Sequence, residues 1–142
     1  MVRINLLKPK YLSDQHLIAE YDEILMLIGY VKRYSNLNRE IPDNYILGKG
    51  HILFFKNKLK YIKKRHEELK KEMKKRGFIT RKTINLNKFP RNLLNDYKPN
   101  NKDKEIIKKR LIEKINLKPE FYRYYSEHKQ KRFFIELIKK AD

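Results

Sequence analysis

The sequence has no cysteine and no tryptophan, and only four of its 142 residues are glycine. Without thiols it cannot form disulfides, hold zinc or iron–sulfur clusters through cysteine, or use a thiolate nucleophile. Any chemistry must therefore rely on oxygen and nitrogen groups. The longest apolar run, residues 24–31, is far shorter than the roughly 20 residues of a membrane span, and the first ten residues lack the apolar core of a signal peptide. We expect a soluble, intracellular protein with no membrane partner.

Negative charge is scarce, because the sequence has 17 Asp and Glu residues but 36 Lys and Arg residues. The formal net charge is therefore +19. A polyanion such as nucleic acid is the natural partner of so basic a chain. Lys, Asn, Ile and Tyr are also abundant while Ala is rare, a bias that an AT-rich coding sequence would produce without any function. Whether the chain binds nucleic acid must therefore be judged from where its charged residues lie.

Apolar periodicity indicates an all-α fold. Leu, Ile, Phe and Val make up 42 of the 142 residues, above the roughly 20 % below which chains tend to stay disordered. The length favours a single domain over residues 1–142. Spacings of three and four predict three principal helices and a short amphipathic helix near the end. The expected ranges are 14–34, 51–76 closed by Gly77, 103–116, and the stretch KRFFIELIKK. Residues 35–44 and 78–101 are expected to be long irregular connections.

The first predicted helix carries a polar set of possible functional residues. His16 and Glu23 are seven positions apart, which places them within roughly 20° on the helix, with Glu20 between them. They either line one cleft or form an ordinary polar face. The run His66-Glu67 lacks the second histidine of a zinc-protease helix, so we predict no metal site.

Several blocks of sequence, in order, resemble the phage endonuclease V type of pyrimidine-dimer DNA glycosylase. They are RINL at 3–6, DQHLIAEY at 14–21 with Glu23, ILGKGH at 46–51, KKRGF at 74–78, RLIEKI at 110–115 and FYRYY at 121–125. The resemblance covers residues 2 to about 126. Residues 126–142 would be a C-terminal extension of the same domain.

The resemblance implies an all-α, cofactor-free DNA repair enzyme that binds double-stranded DNA at ultraviolet-induced cyclobutane dimers. Its nucleophile would be the α-amine of Val2, exposed by removal of Met1. Attack on the sugar C1′ would expel the base and form a Schiff base, and β-elimination would then cut the strand. Glu23 would stabilise the cationic sugar and assist proton transfer. We expect the enzyme to act as a monomer.

The same resemblance places Arg3, Gln15, His16, Arg110 and Lys114 at phosphates around the kinked lesion. Further candidates for DNA contact are the aromatic and basic residues Tyr122, Arg123, Tyr124 and Tyr125. The cluster 121–125 either packs under the N-terminus or offers a stacking surface to unstacked DNA. As an alternative, Phe121 and Tyr124 would belong to the core.

Two positions depart from the best-known members of that family. Cations are expected after Tyr21 and three residues beyond Glu23, whereas this chain has Asp22 and Met26. Asp22 repels phosphate, so the lesion preferred stays open between the dimer and another damaged or abasic site. Cations that could compensate are Lys8, Lys10, Lys32 and Arg33. A non-catalytic, basic DNA-binding protein is the alternative from another functional class.

Overall fold

A computed structural model of the protein describes residues 2–36 and 40–142. Within these ranges the fold is all-α, as predicted. The helices are α1 (Asp14–Arg33), α2 (His51–Lys56), α3 (Leu59–Lys75), α4 (Asn101–Leu117) and α5 (Lys131–Lys139). Strands β1 (Arg123–Tyr124) and β2 (Glu127–His128) form a small antiparallel hairpin in which Arg123 pairs with His128. Short 3-10 helices occupy Pro9–Tyr11 and Arg91–Leu93.

The predicted first, third and C-terminal helices are confirmed. For α1 and α4 the start signal lies in the local sequence. Ser13 caps α1 by accepting a hydrogen bond from the backbone N–H of His16. Asn100 and Asp103 form a reciprocal capping box at the start of α4, which therefore begins two residues earlier than expected. Each cap satisfies backbone donors that the first helical turn leaves free.

The prediction of one continuous helix over 51–76 was wrong, since α2 and α3 are separated at Asn57 and Lys58. The backbone of Lys58 pairs with Leu94 in an isolated antiparallel bridge. The side-chain amide of Asn95 donates to the carbonyl oxygen of Asn57 at 2.8 Å. The irregular connection thus takes backbone groups that would otherwise continue the helix.

The three longest helices, α1, α3 and α4, supply about half of the core, and residues 4–12, the shorter helices and the connections supply the rest. Helix α1 packs on α3, and α4 packs on α5. The connection 78–101 is irregular apart from its 3-10 turn, as predicted, and it buries Ile84 and Leu93 against the helices. In the part of the chain that the structure describes, no helix has the length and apolar character needed to cross a membrane.

Two predictions fall partly on residues outside the described ranges. One is the removal of Met1. The other is the irregular loop 35–44, of which residues 37–39 are not described.

Candidate active site

The backbone of residues 3 and 4 is held by side chains from three different parts of the fold. The N–H of Arg3 donates to Oε1 of Glu23 on α1 at 2.8 Å. The N–H of Ile4 donates to Nε2 of His51 on α2 at 2.9 Å. The hydroxyl of Tyr45 donates to the carbonyl oxygen of Ile4 at 2.8 Å. Val2 therefore enters the fold on a fixed stretch of chain.

The next residues are fixed as well. The N–H of Leu7 donates to the carbonyl of Asn5 at 2.6 Å, which makes a γ-turn with Leu6 at a φ of 60°. A left-handed leucine is strained and persists only where its surroundings impose it. Leu6 is buried, and the Arg65 guanidinium donates to the carbonyl of Leu7. The N-terminal segment, residues 2–7, is thus bonded to the fold along most of its length.

Glu23 is the carboxylate that meets this segment. Burial raises its pKa above the ordinary value, while the N–H and the positive charge of Arg3 act in the opposite direction. A raised pKa brings a carboxyl group closer to the range in which it can exchange protons near neutral pH. A group that also accepts a backbone N–H beside Val2 is well placed to act on anything bound there.

Glu20, one turn earlier on α1, has a different role that the sequence did not reveal. It is buried and paired with Arg65, whose Nε and Nη2 lie 2.7 and 3.0 Å from its two carboxylate oxygens. Spacing on α1 could not separate the two acids, because the partner of Glu20 is 45 residues away. Glu20 belongs to the core, and Glu23 belongs to the surface of the site.

A cleft of about 550 Å³ opens beside Val2 and Arg3. We call it the Val2 cleft; its other lining residues are Leu47, Gly48, Ile106, Lys109, Arg110 and Glu113. Arg110 contacts Glu113 at 3.3 Å, with its side chain 39 % exposed. Three cations therefore face one carboxylate in this cleft, a balance that favours an anionic ligand.

A second cleft, of about 570 Å³, is also bordered by Arg3. We call it the His16 cleft; it is lined by Arg3, Gln15, His16, Ile18, Ala19, Lys114, Leu117, Lys118, Phe121 and Tyr122. Arg3 is thus common to both clefts. Burial, together with the charges of Arg3 and Lys114, lowers the pKa of His16 to about 3, so its ring is neutral at physiological pH.

The predicted aromatic cluster divides into one buried ring and several partly exposed ones. Tyr122 is buried, lies 4.8 Å from the His16 ring, and donates its hydroxyl to the carbonyl of Lys114 at 3.3 Å. Phe121 is 51 % exposed at the rim of the His16 cleft, so its assignment to the core was wrong. Tyr124 is half-buried and bonds the carbonyl of Lys10. The cluster therefore both packs under the site and presents a ring beside it.

Gln15 fastens this aromatic segment to α1. Its amide nitrogen donates to the carbonyl of Phe121 at 3.1 Å, and its amide oxygen accepts the N–H of Arg123 at 2.9 Å. The Arg123 side chain is exposed and donates to His128 at 3.1 Å. Gln15 was expected at a phosphate, and in this structure both ends of its amide are bonded within the protein.

The hairpin turn is held by a buried ionic network. Arg76 donates to Asp14 at 2.9 Å and to Glu72 at 2.8 Å. Asp14 in turn accepts the backbone N–H groups of Tyr125 and Ser126 at 3.1 and 2.7 Å. Both turn residues have positive φ, at 52° and 67°. The network thus imposes the left-handed turn that presents Arg123, Tyr124 and Tyr125.

Four residues of α1 lie outside this cluster. Lys32 and Arg33 are exposed at the C-terminal end of α1, about 14 to 15 Å along the helix axis from Glu23. Asp22 and Met26 are exposed, and the Met26 side chain is 61 % accessible. The two departures from the resemblance therefore lie on the solvent side of α1, within one turn of Glu23.

Over residues 2–36 and 40–142, no group of three or more His, Asp or Glu side chains is close enough to hold a metal ion. The basic site is instead built from backbone amides, guanidinium and ammonium groups and a carboxylate.

The protein is all-α and basic, and its two cationic clefts share Arg3, whose N–H is bonded to the half-buried carboxylate of Glu23. These features suit an enzyme that works on a polyanion. Comparison with known families makes this specific, since the model of the family described as pyrimidine dimer DNA glycosylase matches residues 1–86. The chain belongs to this family and is a DNA repair glycosylase. The matched range contains Arg3, Glu23 and His51, and it ends before α4 and the aromatic cluster.

Proposed function

We propose that the chain removes the base at pyrimidine dimers in double-stranded DNA and then cuts the strand as an abasic-site lyase. The nucleophile is the α-amine of Val2, freed by removal of Met1. The observation that carries the proposal is the 2.8 Å hydrogen bond from the Arg3 N–H to Glu23, which holds a carboxylate one residue from that amine. An α-amine has an ordinary pKa of about 7.7 to 8.0, so much more of it is neutral at pH 7 than of a lysine.

The proposed chemistry has two stages. The lone pair of the Val2 nitrogen attacks C1′ as the N-glycosidic bond breaks, and the base leaves with the bonding electrons and takes up a proton. The Val2 nitrogen then loses one proton and forms a double bond to C1′ as the C1′–O4′ bond breaks. O4′ takes up that proton, and the open sugar is left as a protonated Schiff base. Loss of a proton from C2′ pushes electrons toward this imine, and the C3′–O bond breaks to release the 3′ phosphate. Glu23 stabilises the positive charge on the sugar and carries the protons.

The two clefts supply the binding part of the proposal. Arg3 lines both of them, Arg110 and Lys109 line the Val2 cleft, and Lys114 lines the His16 cleft. The cations of the two clefts would hold the phosphates flanking the damaged sugar. Lys32 and Arg33 would contact the duplex farther along α1. We propose one monomer for each lesion.

The test is reductive trapping on duplex DNA that contains a single thymine dimer. Borohydride added during the reaction should reduce the Schiff base and fix the protein to DNA, and mass spectrometry of the adduct should place the link on Val2. A protein that lacks Met1 should trap, whereas a variant whose Met1 cannot be removed should bind without trapping. An adduct on a lysine, or binding with no adduct from the processed protein, would overturn the proposal.

Asp22 and Met26 favour a second candidate within the same chemistry, which is action on a lesion other than the dimer. An exposed acid within one turn of Glu23 weakens the grip on phosphates there. The comparison is the trapping rate on thymine-dimer duplex against abasic duplex. A rate confined to the abasic duplex would assign the chain to lyase work on other lesions.

A further inference from the structure

His51 has no part in the chemistry proposed above, yet both of its ring nitrogens are engaged. Nδ1 lies 2.7 Å from the carbonyl oxygen of Ile46, and Nε2 lies 2.9 Å from the backbone nitrogen of Ile4. A carbonyl can only accept, so Nδ1 carries the hydrogen. A backbone N–H can only donate, so Nε2 presents its lone pair. The contacts therefore admit a single form of the ring, the neutral Nδ1–H tautomer.

The surrounding structure holds this ring rigidly. His51 is 1 % exposed and begins α2, directly after Gly50, which adopts a φ of 91°. A side chain at position 50 would be strained in that conformation. The Tyr45 ring packs edge-on at 5.4 Å, and its hydroxyl bonds the carbonyl of the same Ile4 whose N–H reaches His51. Two side chains thus grip both polar groups of one residue.

We propose that His51, supported by Tyr45, is a positioning residue that fixes the N-terminal segment so that the Val2 nitrogen is held against Glu23. This inference rests on the proposed function. The Arg3 N–H can reach Glu23 only while the adjoining Arg3–Ile4 peptide keeps its orientation. The N–H of that peptide is bonded to His51, and the carbonyl of the next peptide, Ile4–Asn5, is bonded to Tyr45. A displacement of about 1 Å in such a site can slow a reaction about a hundredfold.

Protonation of His51 would break this arrangement. An imidazolium carries a hydrogen on both nitrogens, and the one on Nε2 would point at the Ile4 N–H. The charged groups that act on the ring are Arg3 from the N-terminal segment and Glu20 of α1, which is paired with Arg65 of α3. Tyr45 from the preceding loop also faces the ring, and it is uncharged because burial raises the pKa of its hydroxyl. Burial lowers the pKa of His51, so the loss of positioning is expected below pH 6.5.

The experiment measures single-turnover trapping on abasic duplex DNA, together with DNA affinity, for three variants and the parent protein. His51→Leu removes the acceptor for Ile4. His51→Gln keeps an uncharged amide oxygen that can accept the same N–H. His66→Leu is the matched control, because His66 is also buried and neither ring nitrogen has a hydrogen-bond partner among the described residues.

We expect His51→Leu to trap at least about tenfold more slowly than the parent, with DNA affinity little changed. Its unfolding midpoint should fall as well, because the buried N–H of Ile4 loses its acceptor. His51→Gln should restore most of the trapping rate at pH 7.5. Between pH 6.5 and 5 its trapping rate should fall less than that of the parent protein. His66→Leu should trap at the parental rate throughout. If His51 had a purely structural role, both substitutions would lower the unfolding midpoint, and the trapping rates of His51→Gln and His51→Leu would not differ.

Parental trapping rates in a folded His51→Leu protein would overturn the inference, as would a His51→Gln protein with the same acid decline as the parent. If His51→Leu does not fold, the trapping rates of Tyr45→Phe and His51→Gln test the inference instead. Tyr45→Phe removes the hydrogen bond to the Ile4 carbonyl, and His51→Gln keeps an acceptor for the Ile4 N–H. These failures are distinct from that of the proposed function, in which the parent protein itself yields no adduct.

Discussion

Glu23 and Arg3 are 20 residues apart in the chain and are joined by a 2.8 Å hydrogen bond from the backbone N–H of Arg3 to Oε1 of Glu23. This bond needs only an oxygen acceptor, whereas stabilising a cationic sugar needs a negative charge. The two requirements can be separated by substitution.

Glu23→Gln is therefore expected to keep the hydrogen bond and DNA binding while losing base removal. The loss should be about a hundredfold or more, as for other electrostatic groups aimed at a developing charge. Glycosylase assays on dimer-containing duplex, with affinity measured in parallel, check this. Glu105→Gln is the matched control, since that side chain is 73 % exposed on α4 and is paired with Lys108. Base removal at the parental rate by Glu23→Gln would contradict the assigned role.

Arg110 and Lys114 are expected to neutralise phosphates. Replacing either by Gln should reduce the slope of log affinity against log salt concentration by about 0.9, the value for one phosphate contact on B-DNA. The measurement is a salt titration of duplex binding. Arg132→Gln is the control, because the Arg132 side chain is 84 % exposed on α5 and is paired with Glu136. Unaltered slopes for both cleft variants would move the DNA to another face.

Arg76→Met should destabilise the fold and loosen the hairpin. The change leaves the carboxylates of Asp14 and Glu72 buried without their cation, and breaking a buried pair in this way costs about 3–5 kcal/mol. Urea unfolding measures the loss, and faster hydrogen exchange of the Tyr125 and Ser126 amides would locate it. The exposed Arg132→Met should change the unfolding free energy by less than about 0.5 kcal/mol. Equal effects of the two substitutions would show that the network is not needed.

Acid should weaken the folded state through its buried histidines. Burial lowers the pKa values of His16, His51 and His66. Below pH 6.5 the unfolded chain binds protons that the folded protein excludes, so the stability present above that pH is lost as pH falls. Each group contributes at most about 1.4 kcal/mol per pH unit. Urea unfolding at pH 7.5 and 5.5 should show the loss. His66→Leu should reduce the loss, and the exposed His128→Leu should not.

Local signals were enough to predict most of the helical framework. The caps at Ser13 and Asn100 and the apolar spacing of α1 and α4 lie within a few residues of the elements they define. The break at Asn57 and Lys58 was missed because it is imposed by a segment nearly forty residues later. The hairpin was missed for the same reason, since its turn is dictated by Asp14 from the start of α1.

The candidate site was likewise predictable in part. The resemblance singled out Arg3, His16 and Glu23, and in the structure Glu23 accepts the N–H of Arg3 while Arg3 and His16 line one cleft. The resemblance did not indicate that Glu20 forms an ion pair with Arg65 or that His51 accepts a hydrogen bond from Ile4. Each of these contacts joins residues more than forty positions apart, and each uses a residue type that is equally common on surfaces.

The anchoring of residues 3–7 has a consequence for the nucleic acid. A nucleophile on a tether bonded at Arg3, Ile4 and Leu7 cannot swing toward its target. On the proposed mechanism the deoxyribose must travel instead, and the work of distortion falls on the duplex. Bending a site costs about 1–6 kcal/mol, and the cost depends on the sequence deformed. The local stiffness of the DNA duplex would then contribute to selectivity, because nucleotides at which damage has already weakened base stacking cost less to distort.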